Sequence, residues 1–118
     1  MTDRFQWCIY QANLNPTRGS EQAGRRPVLV ISRESVNAAL LIVGVLPLTS
    51  HKSGRRIYPT EVFLEAGTAG LPVDSIVLAH QVRTLAKLRL EKCYGTIDDP
   101  SLQARVRLAI SLFLDLGG

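Results

Sequence analysis

Two arginines stand directly before a proline, Arg25-Arg26-Pro27, at the head of the apolar run Val28-Leu29-Val30-Ile31. A guanidinium is a planar fork of donors that matches phosphate oxygens, and a proline beside it would fix its backbone at the mouth of a strand. Thr49 and Ser50 offer hydroxyls just after Pro47, and His51 follows them. For proton transfer the candidates are His51 and His80, histidine being the side chain most used as a general acid or base, and Glu21. Such groups suit the binding of a phosphodiester and stabilisation of the charge that builds when its phosphorus is attacked. Taken by themselves, Arg25-Arg26 also reads as a solvated charge pair and Thr49-Ser50 as ordinary turn formers.

Metal chemistry has little to draw on. The only cysteines, Cys8 and Cys93, and the only histidines, His51 and His80, have no ligand spacing, so neither a zinc pattern nor a disulfide framework is present. Both thiols are expected to be reduced and buried, with no metal or other cofactor. The net charge of +4 would attract a polyanion. It is concentrated: residues 18–33 carry four arginines against Glu21, and residues 51–56 carry Lys52, Arg55 and Arg56 with no acid.

These residues need a scaffold, and 118 residues with 46% hydrophobic and 20% charged content suffice for one domain, expected over residues 1–118. The first six residues show no secretory signal, which points to the cytoplasm. The longest apolar run, residues 38–48, is broken by Gly44 and Pro47 and falls short of the roughly 18 residues of a membrane span. Strands are expected at Trp7 to Leu14, Pro27 to Ser32, Ala39 to Leu46, Tyr58 to Leu64, Ser75 to Leu85 and Cys93 to Ile97. The second of these, continuously apolar, should be central and buried on both faces; the fourth should be the return arm of a hairpin. Asp99-Pro100 caps an amphipathic helix, Pro100 to Leu114, whose Leu102, Val106, Ala109, Ile110 and Phe113 recur at three-to-four spacing. The expected fold is mainly β: a small antiparallel barrel whose opening the helix covers.

The run from Asn15 to Ser32, containing Gly19-Ser20-Glu21-Gln22-Ala23-Gly24-Arg25-Arg26-Pro27, resembles the first motif of the MazF/PemK toxins. Pro47-Leu48-Thr49-Ser50 is similar to their second motif, and Asp74 to Leu85 to their third, in the same order over nearly the whole chain. Three positions depart from the pattern: Trp7-Cys8 replaces a glycine followed by an acid, and His80 replaces an aspartate. The resemblance implies an SH3-like barrel that forms a homodimer, metal-independent cleavage of single-stranded RNA at short sequence sites, and inhibition by an acidic antitoxin protein. It implies Arg26 and Thr49 as the catalytic pair, with Arg26 as phosphorane stabiliser. Glu21, His80 and His51 stay open as the general base. Ser20, Gln22, Arg25, Ser50, Lys52, Arg55, Arg56, Gln81 and Arg83 are the candidate RNA contacts. Rival readings are a related barrel that poisons a protein such as DNA gyrase, and a barrel that binds RNA without cutting it.

Overall fold

The structure, a computed structural model, describes residues 4–117. In chain order its elements are β1 (Cys8–Asn13), β2 (Arg25–Val30), α1 (Glu34–Ala39), β3 (Ile42–Ser50), β4 (Glu61–Leu64), β5 (Ser75–Leu78), β6 (Arg83–Ala86), β7 (Leu90–Thr96) and α2 (Pro100–Leu114). The strands form one antiparallel sheet in the order β4-β5-β3-β2-β1-β7, with β6 also paired to β3.

β2 is buried on both faces, as its unbroken apolar run requires. Leu29 packs into one cluster with Ile9, Leu46, Leu48 and Val77, while Val28 and Val30 join a second with Ala12, Val43, Val45 and Leu85. Because successive side chains on a strand point to opposite faces, only a strand covered on both sides can feed two clusters. The first cluster also takes Val62 and Leu64 from β4, at the far end of the sheet from β1 and β7. Strands from both ends converge on one core, so the sheet curls into an incompletely hydrogen-bonded barrel. Val106 and Ala109 of α2 cover that core. Asp99 caps the helix by accepting from Ser101 N at 2.9 Å, and Pro100 occupies its first turn, where a missing N–H costs nothing. Among the described residues no helix is long and apolar enough to cross a membrane.

The two ends of the sheet meet through backbone contact. The turn Thr68–Gly70 lies against β7 so closely that a Cβ at Gly95 would come 2.7 Å from the carbonyl oxygen of Ala69. A Cβ at Gly70 would run into the carbonyl of Tyr94. Glycine is required on both sides of this seam.

Several elements differ from expectation. The strand expected from Ala39 begins at Ile42 and continues to Ser50, preceded by the six-residue helix α1. That helix is too short for a periodic signal and is held by tertiary contacts. Glu34 accepts from Phe5 N and Gln6 N, and buried Asn37 exchanges hydrogen bonds with Ser32. Only Glu61–Leu64 of the fourth expected strand is extended, and it pairs with β5, so it leads a hairpin instead of returning from β3. The fifth expected strand is split. β5 and β6 run along the same edge of β3, but between the pairs Leu48↔Val77 and Val45↔Arg83 the β5–β6 side holds three extra residues, looped out as the turn Ala79–Gln81. The last strand starts at Leu90. Cys8 is buried as expected, whereas Cys93 is exposed on edge strand β7.

Two outcomes check this arrangement. Gly95→Ala should lower the unfolding free energy by about 1–3 kcal/mol in denaturant titration, as overpacking does. Gly44→Ala, whose added Cβ would make an ordinary 3.5 Å contact with Ser32, should cost less. In the native protein an alkylating reagent should label Cys93 and spare Cys8, whose thiol is pushed up in pKa chiefly by burial. Labelling of Cys8 at the rate of Cys93 would contradict the packing of β1 against β7.

Candidate active site

Arg26 and Thr49 sit where β2 and β3 emerge from the core. The pairing Val28↔Pro47 and Leu29↔Leu46, continued by two residues, brings Arg26 opposite Thr49. Both line a pocket of about 190 Å³. Arg25, Pro27, Leu48 and Ser50 extend its wall, and Leu71, Pro72, Val73 and Ser75 close it from the β4–β5 connection. Arg26 Nε donates to the carbonyl of Ala23 at 2.8 Å, which fixes the guanidinium while its two terminal nitrogens have no partner among the described residues. The Thr49 side chain is partly exposed. Arg25 forms a surface ion pair with Glu91 at 3.2 Å, with both side chains well exposed. No acid lines the pocket, so its two guanidinium groups and the hydroxyls of Thr49, Ser50 and Ser75 make a site for an anion.

A larger cleft of about 440 Å³ is bordered by Ser20, Glu21, Gln22, Pro47 and residues 80–83. The looped-out turn between β5 and β6 builds one of its walls. Gln81 accepts from Gln22 N at 2.8 Å and donates to the carbonyl of Ser20 at 3.2 Å, so its amide clamps the β1–β2 loop on either side of Glu21. The side-chain oxygen of Gln22 is buried without a hydrogen-bond partner. Arg83 donates to the carbonyl of Leu14 at 3.3 Å, and His80 Nδ1 lies 3.3 Å from Thr60 Oγ1. Pro47, two residues before Thr49, also borders this cleft, so β3 carries the rim of both cavities.

None of the three base candidates lines the Arg26 pocket. Glu21 and His80 border the larger cleft, not the Arg26 pocket. His51 is turned away into its own loop, with Nε2 3.1 Å from the carbonyl of Arg55 and its ring edge-on to Phe63 at 5.1 Å. Among the cations of that loop, Lys52 and Arg56 are exposed, Arg56 lying over the Tyr58 ring at 5.3 Å. Arg55 is engaged with Glu61, both guanidinium contacts measuring 3.0 Å. Among the described residues no three His, Cys, Asp or Glu side chains are grouped to hold a metal ion.

Sequence reasoning missed Glu61, Ser75 and the Leu71–Val73 wall. Glu61 gave a signal: it is an acid inside the run Glu61-Val62-Phe63-Leu64, where a buried carboxylate needs a partner. The Leu71–Ser75 wall gave none, since it reaches the pocket only through the pairing of β5 with β3.

A curled antiparallel sheet, covered by a C-terminal helix and presenting an arginine and a threonine in an acid-free pocket, defines a small barrel with a pocket suited to an anion. The sequence matches the family described as PemK-like, MazF-like toxin of type II toxin-antitoxin system over residues 5–114, and the chain belongs to that family. It is 38% identical over 113 residues to Endoribonuclease MazF9 of Mycobacterium tuberculosis, covering 92% of this chain and 93% of the relative. Among solved structures, MazF of Deinococcus radiodurans superposes with a TM-score of 0.76 at 31% identity, covering 93% of this chain and 94% of the other. A MazE-MazF structure from the same organism gives 0.68 at 27% identity, with 92% of each chain covered.

Arg55 beside Glu61 is the main cause holding that carboxyl below its usual range, aided by the hydrogen bond from Tyr58 N, while burial opposes them. A depressed carboxylate pKa contributes stability that is present above the unfolded value of about 4.3 and is lost as pH falls through the folded value. The unfolding free energy should therefore drop below about pH 5 in denaturant titrations, with a shallower drop in Glu61→Gln. An identical acid limb in Glu61→Gln would remove Glu61 from this account.

Proposed function

We propose that this chain is the toxin of a toxin-antitoxin pair, a sequence-specific endoribonuclease that cuts single-stranded RNA without a metal ion. The observation that carries this reading is the anchored Arg26 guanidinium sharing with Thr49 a pocket lined by no acid. In such a reaction O2′ attacks the adjacent phosphorus as the bond to O5′ breaks, leaving a 2′,3′-cyclic phosphate and a 5′-hydroxyl. Negative charge builds on the non-bridging oxygens at that moment, and donors held there beforehand lower the barrier most. Arg26 supplies two terminal nitrogens already aligned by the Ala23 carbonyl, and Thr49 a hydroxyl. A guanidinium is a planar fork of donors matched to phosphate oxygens, so Arg26 is a phosphorane stabiliser ahead of any proton-transfer role.

His51, bonded within its own loop, is the weakest of the three base candidates, which leaves Glu21 and His80 on the side of the larger cleft. That cleft takes a nucleotide flanking the scissile bond, with Ser20, Gln22 and Arg83 along its walls. Gln81 shapes it by holding the loop. Lys52 and Arg56, with Arg25 and Ser50 nearer the catalytic pair, meet phosphates. An acidic antitoxin segment would compete for the same cations, and the existence of a MazE-MazF structure for a relative supports such a partner. The family resemblance supports a homodimer.

The test is incubation of purified protein with a long single-stranded RNA, both with Mg²⁺ and in excess EDTA, with fragment ends sequenced, beside Arg26→Ala and Thr49→Ala. Wild type should cut at a short recurrent sequence, with Arg26→Ala slower by about 10²–10³-fold, the usual loss when one such donor is removed. Intact RNA in every lane would overturn the reading in favour of a protein-directed poison or a binding-only barrel. Cuts that vanish with EDTA would overturn metal independence alone.

A further inference from the structure

Among the described residues, Glu61 is the most deeply buried carboxylate, its side chain 3% exposed, and it lies outside both cavity rims that hold the candidate chemistry. Everything it bonds belongs to the connection between β3 and β4. One carboxylate oxygen accepts from Arg55 Nη1 and from Tyr58 N, each at 3.0 Å, and the other from Arg55 Nη2 at 3.0 Å. Arg55 Nη1 also donates to the carbonyl of Arg56 at 2.8 Å, Arg55 N donates to the carbonyl of Lys52 at 3.0 Å, and Arg55 O meets His51 Nε2. Tyr58, held by its amide, carries Arg56 over its ring. The connection starts at the catalytic strand, immediately after Thr49 and Ser50, and His51 N is stitched to the carbonyl of Asp74 at 2.9 Å. One buried carboxylate thus organises His51, Lys52, Arg55, Arg56 and Tyr58, five residues of a loop that leaves the rim of the Arg26 pocket.

We propose that the Glu61–Arg55 pair is a positioning device for the β3–β4 loop, which holds Lys52 and Arg56 outward as preset phosphate contacts, and that Arg55 is not itself an RNA ligand. The proposal rests on the RNA-cleaving reading above. Its physical basis is that a flexible cation must be ordered when it meets a phosphate, whereas one on a prebuilt loop has already lost that freedom. Arg55 suits the task because a bidentate fork fixes direction as well as distance, and a lysine in its place would supply charge without the fork. Its guanidinium already spends three hydrogen bonds on the carboxylate and the Arg56 carbonyl.

The experiment measures the affinity of the full chain for a 2′-O-methyl RNA oligonucleotide, which cannot be cleaved, by fluorescence anisotropy across a salt series. Wild type is compared with Arg55→Lys, Arg55→Gln, Lys52→Ala/Arg56→Ala, and the last combined with Arg55→Gln. Thermal unfolding checks that each variant is folded, and hydrogen exchange of the Tyr58 amide reads the loop directly. Positioning predicts that Arg55→Lys and Arg55→Gln weaken binding alike, by roughly tenfold. It also predicts that Arg55→Gln adds nothing once Lys52 and Arg56 are gone, and that Tyr58 exchange quickens in both single Arg55 variants. The Lys52→Ala/Arg56→Ala protein should show a salt slope shallower by about 1.4, or 0.7 for each lost contact with a single strand. Wild-type binding by Arg55→Lys, or an Arg55→Gln loss that persists in the Lys52→Ala/Arg56→Ala background, would make Arg55 a direct phosphate contact and overturn the proposal. Unchanged Tyr58 exchange would overturn it as well. A wild type that binds no RNA would defeat the functional reading, while the exchange measurement would still decide whether the pair holds the loop.

Discussion

The burial of β2 on both faces is the constraint from which the site follows. Val28, Leu29 and Val30 are all fully enclosed, and each such side chain contributes about 1.5–3 kcal/mol by leaving water. A strand anchored in two clusters at once cannot slide, because a one-residue slip would exchange every side chain between faces and break both. Arg26 stands two residues before Val28, where this immobile strand reaches solvent. Its backbone is therefore set by the core, and its side chain needs only the Ala23 carbonyl to set direction. The proposed catalytic group with the longest side chain is thus attached beside the doubly buried strand, the fixed support that an electrostatic site needs if its dipoles are not to reorganise during reaction.

β3 transmits the same rigidity to the other side. It pairs with β2 along one edge and with β5 and then β6 along the other, so Thr49 is placed by ladders on both sides of its strand. The three residues looped out between β5 and β6 let one stretch of chain follow β3 at both ends while lifting His80 and Gln81 out of the ladder. A regular strand would have faced alternate residues into the core and to solvent. The interruption instead gives the sheet edge a projecting turn, which Gln81 uses to grip the loop ahead of β2.

How much of this was legible in the sequence depended on range. The capped helix α2 could be read because its signals lie within a few residues: Asp99, Pro100 and an apolar repeat. β2 could be read because two-sided burial leaves no polar alternation. The pairing of Arg26 with Thr49 came through the family resemblance, and by residue type alone both looked like surface and turn residues. α1 escaped notice because six residues carry no period and its anchors, Phe5, Gln6 and Ser32, are set by tertiary structure. The Ala79–Gln81 turn escaped because its cause is the register of β3, absent from the local residues. The separation of Glu21, His80 and His51 from the Arg26 pocket is likewise a three-dimensional fact: the three are acceptable bases by type, and only the fold assigns them to other surroundings.

Electrostatics shows why net charge is a poor guide to where a polyanion would lie. The chain has an excess of four positive charges, yet many of its cations are spoken for. Arg55 spends both terminal nitrogens on Glu61, Arg83 and Arg89 donate to backbone carbonyls, and Arg25 gives its Nε to Glu91. An engaged guanidinium still adds to the field, which steers approach at long range, but the donors it has spent are no longer available to a phosphate. Arg25 and Arg26 are both anchored through Nε and keep both terminal nitrogens, but the partner of Arg26 is a neutral carbonyl, so its charge is not offset. The distinction between charge that attracts and donors that bind separates a basic surface from a catalytic one. In this chain the separation is made by backbone carbonyls and two carboxylates, which occupy some arginines and leave Arg26 aimed at an acid-free pocket.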